Sequence, residues 1–414
     1  MSHLAIWLIA ALAICGILIR PWRWPEYIWA CLGAALLVIL RLLSPGEVLY
    51  AVWRGTGVYL FLAGMMLLAE MARRQGLFDW LASHAVNAAG GSPFRLLSLV
   101  YCIGILVTAL LSNDATAVVL TPAVYAAVKK SQGPVLPYLF SCAFVANAAS
   151  FVLPISNPAN LVIFGSRMPP LFEWLRFFAL PSLLSISATY IMLRLLTRRE
   201  LKGAMRERLK SPELSKTGRT IAIGILATAA VLLTASALDR DLGPPTFISG
   251  VCVFLAVVLF DRTAFLPVLR GVSWGVLLLV AGLFVLVQGL ATAGAVDGLH
   301  IALHTLASWP AAAGPIAASF GIAALCNVAN NLPIGLLVGS AVQDHVAQGI
   351  RNALVIGVDL GPNFSITGSL ATILWLIALR REGEHVTFFQ FLRYGLLVTT
   401  PALALATLGV LVNI

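Results

Sequence analysis

The sequence predicts an all-α polytopic membrane protein: an inverted repeat of two five-span halves, each with a re-entrant hairpin and a broken helix. Three observations predict it: composition, a succession of apolar stretches, and motifs that recur at a near-constant offset. Of the 414 residues, 60% are hydrophobic and 11% charged, and the mean hydropathy is +0.95. A soluble chain carries about a quarter charged residues. Most windows of about 20 residues are predominantly apolar, the length a helix needs to cross the hydrocarbon of a bilayer. The first apolar run is followed by many others, so it reads as the first span and not as a cleaved leader. The six cysteines (Cys15, Cys31, Cys102, Cys142, Cys252, Cys326) lie in apolar stretches without metal-ligand spacing, and no disulfide framework is expected. No metal or other cofactor is implied. The net charge of +10 reads as membrane topology, with no nucleic-acid partner.

Spans are predicted near 3–19, 26–43, 54–72, 134–166, 170–197, 220–238, 246–261, 275–292, 350–380 and 388–413. Stretches 95–129 and 312–345 differ, because each carries a polar cluster at its middle: Ser112-Asn113-Asp114 and Asn327-Val328-Ala329-Asn330-Asn331. Two apolar arms around a polar tip predict a hairpin whose tip faces protein or water, since hydrocarbon does not tolerate unpaired backbone. Stretches 134–166 and 350–380 are too long for one straight crossing and have polar, Gly/Pro-rich middles, so they are predicted to be broken helices. The count is thus about 10 transmembrane helices plus 2 hairpins.

The halves resemble each other. Ala63-Gly64, Gly76, Asp79 and Leu81 recur as Ala281-Gly282, Gly294, Asp297 and Leu299, at an offset of 218. Asn113-Asp114 falls on Asn330-Asn331 at 217, and Ile155-Ser156 on Ile366-Thr367 at 211. Residues 1–197 form the first repeat, 198–219 a linker and 220–414 the second. Five spans per half put the second half into the membrane upside down. The linker carries eight basic and three acidic residues. Tracing the spans puts it on one side with Arg20, Arg23, Arg73, Arg74, Lys129, Lys130, Arg380 and Arg381. With about 21 of the Lys and Arg residues there, that side is expected to be cytoplasmic and both termini periplasmic, in a bacterial inner membrane.

Polar groups kept in hydrocarbon usually face a cavity and act there. Four clusters qualify. The first tip offers Asn113, Asp114 and Thr116; the first broken helix, Asn147, Ser150, Ser156, Asn157 and Asn160, interrupted by Pro154 and Pro158. The second tip offers Asn327, Asn330 and Asn331; the second broken helix, Asp359, Asn363, Ser365, Thr367 and Ser369, interrupted by Gly361-Pro362 and Gly368. Unwound backbone and half-helix N-termini add further hydrogen-bonding groups. The competing reading is local capping by Asn and Ser. Asp114 and Asp359 are the acidic members. A partly desolvated carboxyl titrates closer to neutrality than one in water, which makes both candidate proton carriers. His3, His84, His300, His304, His345 and His385 fall at predicted edges and loops, outside this set. Glu70 lies near the end of its span, opposite the neutral Gln288 in the repeat, and reads as structural. None of the four clusters contains Lys or Arg.

The runs ALLSNDATAVVLTPAV (109–124), VLPISNPANLV (152–162), NNLPIGLLVGSA (330–341) and GVDLGPNFSITGSLATILWL (357–376) resemble the ArsB arsenite/antimonite efflux family. That family belongs to the ion-transporter superfamily, with NhaD-type sodium/proton antiporters and dicarboxylate carriers. The likeness covers nearly the whole chain and is most specific in the last run. It implies ten spans, two hairpins, a scaffold and a transport domain, and electrochemically driven extrusion of As(III) and Sb(III). Some members also couple to a cytosolic ATPase subunit. The first tip reads Ser-Asn-Asp here, where some members have Ala-Asn-Asp.

The chemistry agrees with that expectation. Trivalent arsenic at neutral pH is mainly As(OH)3, and Asn, Ser and Thr side chains can hydrogen-bond three hydroxyls without a counter-ion. Moving a neutral solute against its gradient needs an ion to enter, and protons on Asp114 or Asp359 would supply it. Cys326, Cys102 and Cys142 raise thiolate ligation as an alternative, but small apolar cysteines are common in packed helices. Sodium/proton exchange is the main competing transport reading, through two Asp and many carbonyls. A membrane enzyme is disfavoured, because no nucleophile–base pair stands at membrane depth.

Overall fold

The computed structural model describes residues 2–165, 168–203, 205, 213–342 and 346–412. The predicted positions 166, 343–345 (with His345) and 413 lie outside these, as do linker residues 204 and 206–212. The described residues are helical, with no strand.

The first half runs α1 (Ser2–Ile19), α2 (Glu26–Ile39), α3 (Pro45–Arg54), α4 (Thr56–Arg74), α5 (Leu77–Ala89) and α6 (Pro93–Leu110). After a short break come α7 (Asn113–Ala115), a π-helical turn Thr116–Leu120 and α8 (Thr121–Lys130). Then follow α9 (Leu136–Ala148), a 3-10 turn Pro154–Ser156, α10 (Pro158–Phe164) and α11 (Leu171–Thr197). The second half repeats this order: α12 (Lys216–Ala237), α13 (Gly243–Phe260), α14 (Phe265–Gly271), α15 (Gly275–Thr292), α16 (Ala295–Ala307) and α17 (Ala313–Ala329), then α18 (Asn331–Ala341), α19 (Gln348–Leu360), a 3-10 turn Gly361–Phe364, α20 (Leu370–Arg381) and α21 (Phe388–Val412).

Among the described residues, seven helical stretches are long and apolar enough to cross a membrane. Shorter apolar helices, including α2, α9, α17 and α18, complete the set. Residues 149–157 separate α9 from α10 and residues 361–369 separate α19 from α20, while α6 and α7, and α17 and α18, adjoin at the polar runs 111–114 and 327–331.

The sequence repeat has a packing cause. α4 packs on α13, and its counterpart α15 packs on α2. A Cβ on Gly64 would stand 2.4 Å from the Thr246 carbonyl oxygen, and one on Gly250 would stand 2.8 Å from that of Gly64. At the other crossing, a Cβ on Gly282 would meet the Ala30 backbone at 2.8 Å. Both glycines of the recurring Ala-Gly pair thus permit close helix contact, as small residues do in membrane bundles. Gly76 (φ 71) and Gly294 (φ 87) hold the left-handed turns before α5 and α16. Asp79 and Asp297 then sit in the first helical turn, where the helix dipole favours a negative charge.

The broken helices are locked in place by aromatic anchors. Trp375 of α20 donates from Nε1 to the Leu139 carbonyl of α9 (3.1 Å), and Phe140 stacks on Tyr394 of α21 with centroids 4.4 Å apart. Trp174 of α11 donates to the Phe151 carbonyl (3.1 Å), supporting the unwound stretch after α9.

Candidate functional site

Each tip is made by a side chain that replaces missing backbone partners. At the first, the Ser112 hydroxyl accepts from the Ala115 amide (3.2 Å) and Asn113 Oδ1 from the Asp114 amide (3.0 Å). At the second, Asn330 adopts φ 71, a region Asn enters more readily than bulkier residues. Its Oδ1 accepts from the Leu332 amide (3.3 Å). The Asn331 amide then donates to the Gly368 carbonyl (2.9 Å), docking the tip on the second helix break. That break needs glycine: a Cβ on Gly368 would lie 2.5 Å from Pro362 Cα.

The two breaks meet. Asn147 Nδ2 donates to Asn363 Oδ1 (2.9 Å), and Asn363 Nδ2 to the Phe144 carbonyl (2.9 Å). Asn157 Nδ2 donates to Asp359 Oδ1 (2.8 Å). These bonds join residues more than 200 positions apart, all nearly or fully buried. Asn113 approaches the same group through Asn147 Oδ1 at 3.5 Å. Asn327 ties in the other hairpin: its Nδ2 donates to the carbonyls of Ala323 and Gly361 (2.8 Å each), its Oδ1 accepts from Ser365 (2.6 Å), and its carbonyl accepts from Thr367 (2.7 Å). A continuous polar seam therefore runs from one tip to the other.

A cavity of about 640 Å³ reaches this seam from one side, lined at its inner end by Ser112, Asp114, Pro158 and Leu370 and at its mouth by Glu70, Arg73, Arg381 and Glu382. The Asp114 carboxyl has no hydrogen-bond or ion-pair partner among the described residues. At the mouth, Glu70 accepts from Arg73 Nε and Nη2 (2.7 Å each) and from Arg74 Nε (2.5 Å). A second cavity, about 350 Å³, is lined by Tyr50, Arg54, Gln288, Asp297, Leu336 and Ser340, among others. The two are related by the repeat: Met66, Ala69, Glu70, Arg73, Phe78 and Asp79 of the larger correspond, at offset 218, to Phe284, Val287, Gln288, Ala291, Val296 and Asp297 of the smaller. The larger reaches a tip carboxyl; the lining of the smaller goes no nearer its tip than Leu336.

The family pattern described as CitMHS, citrate transporter, matches residues 15–360. The chain belongs to that family. The arsenical pump membrane protein of Escherichia coli K12 is 30% identical over 400 residues, covering 90% of both chains. The 46 kDa membrane protein of Mycobacterium leprae is 25% identical over 406 residues, covering 91% of each. Among solved structures, the YdaH transporter of Alcanivorax borkumensis superposes with a TM-score of 0.58 at 16% identity, covering 93% of this chain and 97% of that one. That likeness is of fold. This member of the citrate transporter family is a multi-pass membrane transporter and not an enzyme.

The residues singled out from sequence separate by what they touch in this transporter. Asn113, Asn147, Asn157, Asp359, Asn363, Asn327 and Thr367 belong to the seam, and Asp114 faces the larger cavity. Asn331 is buried beside the seam, joined to it by its backbone. Others serve local backbone. Ser156 accepts from the Leu153 amide (3.1 Å) and Ser369 from the Thr372 amide (3.1 Å). Asn330 caps α18, Ser150 donates to the Asn147 carbonyl (2.9 Å), and Asn160 donates to the carbonyls of Ser150 (3.1 Å) and Pro154 (3.4 Å). Thr116 turns toward the opposite hairpin arm, bonding Thr108 Oγ1 (2.8 Å). Sequence reasoning missed the charged mouth. Its signal was present: Glu70, Arg73 and Arg74 stand at the i, i+3 and i+4 spacing of partners on one helix face.

Proposed function

We propose that this transporter exports trivalent arsenic and antimony, as As(OH)3 and Sb(OH)3, across the bacterial inner membrane in exchange for protons. The observation that carries this reading is the chemistry at the inner end of the larger cavity. One unpartnered carboxyl, Asp114, and the Ser112 hydroxyl line it there, next in sequence to the seam residue Asn113, while the lining cations, Arg73 and Arg381, stand at the mouth. A neutral trihydroxide finds donors and acceptors in such a place. A tricarboxylate, the substrate class in the family's description, would bring its charges to Asp114 with no guanidinium or ammonium to receive them. The arsenical pump relatives support the same choice.

In this reading Asn113, Asn147, Asn327 and Thr367, with the neighbouring polar groups of both breaks, hold the substrate. Asp114 exchanges protons with cavity water, and Asp359 contributes to coupling from within the seam. The two repeat-related cavities are the two sides' access routes. The larger opens on the linker side, which the charge bias makes cytoplasmic, and both termini are periplasmic. The halves are an inverted repeat, a reading supported by the similar element order, with α18 in the place of α7, the π turn and α8, and by the reciprocal α4–α13 and α15–α2 crossings.

The test is uptake of As(III), detected by mass, into everted vesicles with and without an imposed pH gradient. Gradient-dependent accumulation that needs the protein is expected. Sodium-dependent proton movement without As(III) uptake would replace this reading with sodium/proton exchange.

A further inference from the structure

Two histidines stand in the second half where the first has packing residues. Gly76, Asp79 and Leu81 of the first half return as Gly294, Asp297 and Leu299, so α5 and α16 share a framework. At the same offset of 218, Ala82 and Val86 of α5 become His300 and His304 of α16. Ala82 and Val86 are buried, and α5 packs on α8. His300 is partly exposed and His304 exposed. A face that serves packing in one half therefore carries two imidazoles and meets solvent in the other.

The spacing of four puts both rings on one helix face, one turn apart. Their centroids are 5.3 Å apart with the planes at 89°. Neither ring has a hydrogen-bond or ion-pair partner among the described residues. His84 of α5 differs, because its Nδ1 lies 2.8 Å from the Trp80 carbonyl oxygen. No Lys or Arg stands on α16, nor on α15, α17 or α18, which pack on it, so no fixed cation on these helices opposes a bound one. Asp297, one turn before His300, adds negative charge and also lines the smaller cavity, which puts the pair near the rim of that cavity. Imidazole nitrogens suit nickel, copper and zinc, and two histidines four apart are the ligand pair of helix-borne metal sites. Among the described residues no third His, Cys, Asp or Glu joins the pair, so water would complete the coordination.

We propose that His300 and His304 form a two-imidazole site for a first-row divalent transition-metal ion, of the nickel, copper and zinc class, at the rim of the smaller cavity. The site goes beyond the transport reading above and does not depend on which solute is carried. In the proposed topology it faces the side opposite the linker. A bound ion staples one turn of α16, the helix that packs on α17 and α18.

The experiment is calorimetric titration of purified full-length protein with Ni2+, without arsenic. Any affinity tag is removed and the exposed thiols of Cys15, Cys31, Cys102 and Cys252 are alkylated first, so that they do not compete. One saturable site per chain is expected. His300→Ala and His304→Ala are each expected to weaken it by about tenfold or more, since even the outer partners of a metal site are worth that much. His385→Ala, at another exposed histidine, is expected to leave it unchanged. Electron paramagnetic resonance with Cu2+ in place of Ni2+ is expected to show two coupled nitrogens in the wild type and one in each single variant. Should His300→Ala not fold, His304→Ala, at the more exposed position, decides the claim. A wild type with no saturable site, or binding that survives His304→Ala at full strength, would overturn the site and leave an adventitious surface imidazole only.

Discussion

Individual residues in the seam act as pairs, which makes their loss measurable. Asn363 accepts from Asn147 and donates to the Phe144 carbonyl, so Asn363→Ala strands one buried donor and one buried acceptor. Stability is expected to fall by about 1–3 kcal/mol for each group left unpaired, read as a lower unfolding temperature in detergent. Ser369→Ala removes an N-cap and is expected to cost about 1 kcal/mol, with substrate handling little changed. A large transport defect at normal stability would show that Ser369 does more than cap its helix. The polar residues themselves were legible in the sequence, because Asn, Asp and Pro inside apolar stretches have few innocent explanations. Their partners were not. Asn157 and Asp359 are 202 positions apart, and no spacing rule pairs residues across two separately broken helices.

At the scale of elements, the recurring Ala-Gly pair marks the two close crossings of the bundle. Gly64→Val inserts a side chain where even a Cβ would stand 2.4 Å from backbone oxygen. Overpacking of this kind costs about 1–3 kcal/mol, and more where neither helix can retreat. Gly282→Val is expected to do the same at the counterpart crossing, and thermal unfolding of both variants checks the claim. The long apolar helices were readable from composition. The amphipathic helices α3 (Pro45–Arg54), α5 and α16 were not read as elements, since at 10 to 13 residues with charged members they resemble loops between spans. Gly76 and Gly294 were noticed as a repeat, yet their purpose as left-handed turns before α5 and α16 emerges only from the backbone.

At the scale of the whole molecule, the two unequal cavities lined by repeat-related residues are, in the proposed reading, the access routes from the two sides. Ala69→Cys is therefore expected to react with an impermeant thiol reagent from the linker side, and Ala291→Cys from the other. A cysteine in the described part of the linker, at Gly203, is expected to react only after lysis; reaction in intact cells would reverse the orientation. The central claim is that a pH gradient drives a neutral arsenic hydroxide through the cavity that ends at Asp114. The most direct measurement compares pH-driven As(III) accumulation with As(III) exchange in the same proteoliposomes, for the wild type and for Asp114→Asn. The account predicts that Asp114→Asn abolishes accumulation while exchange between the two sides persists. Full pH-driven accumulation by Asp114→Asn would contradict it.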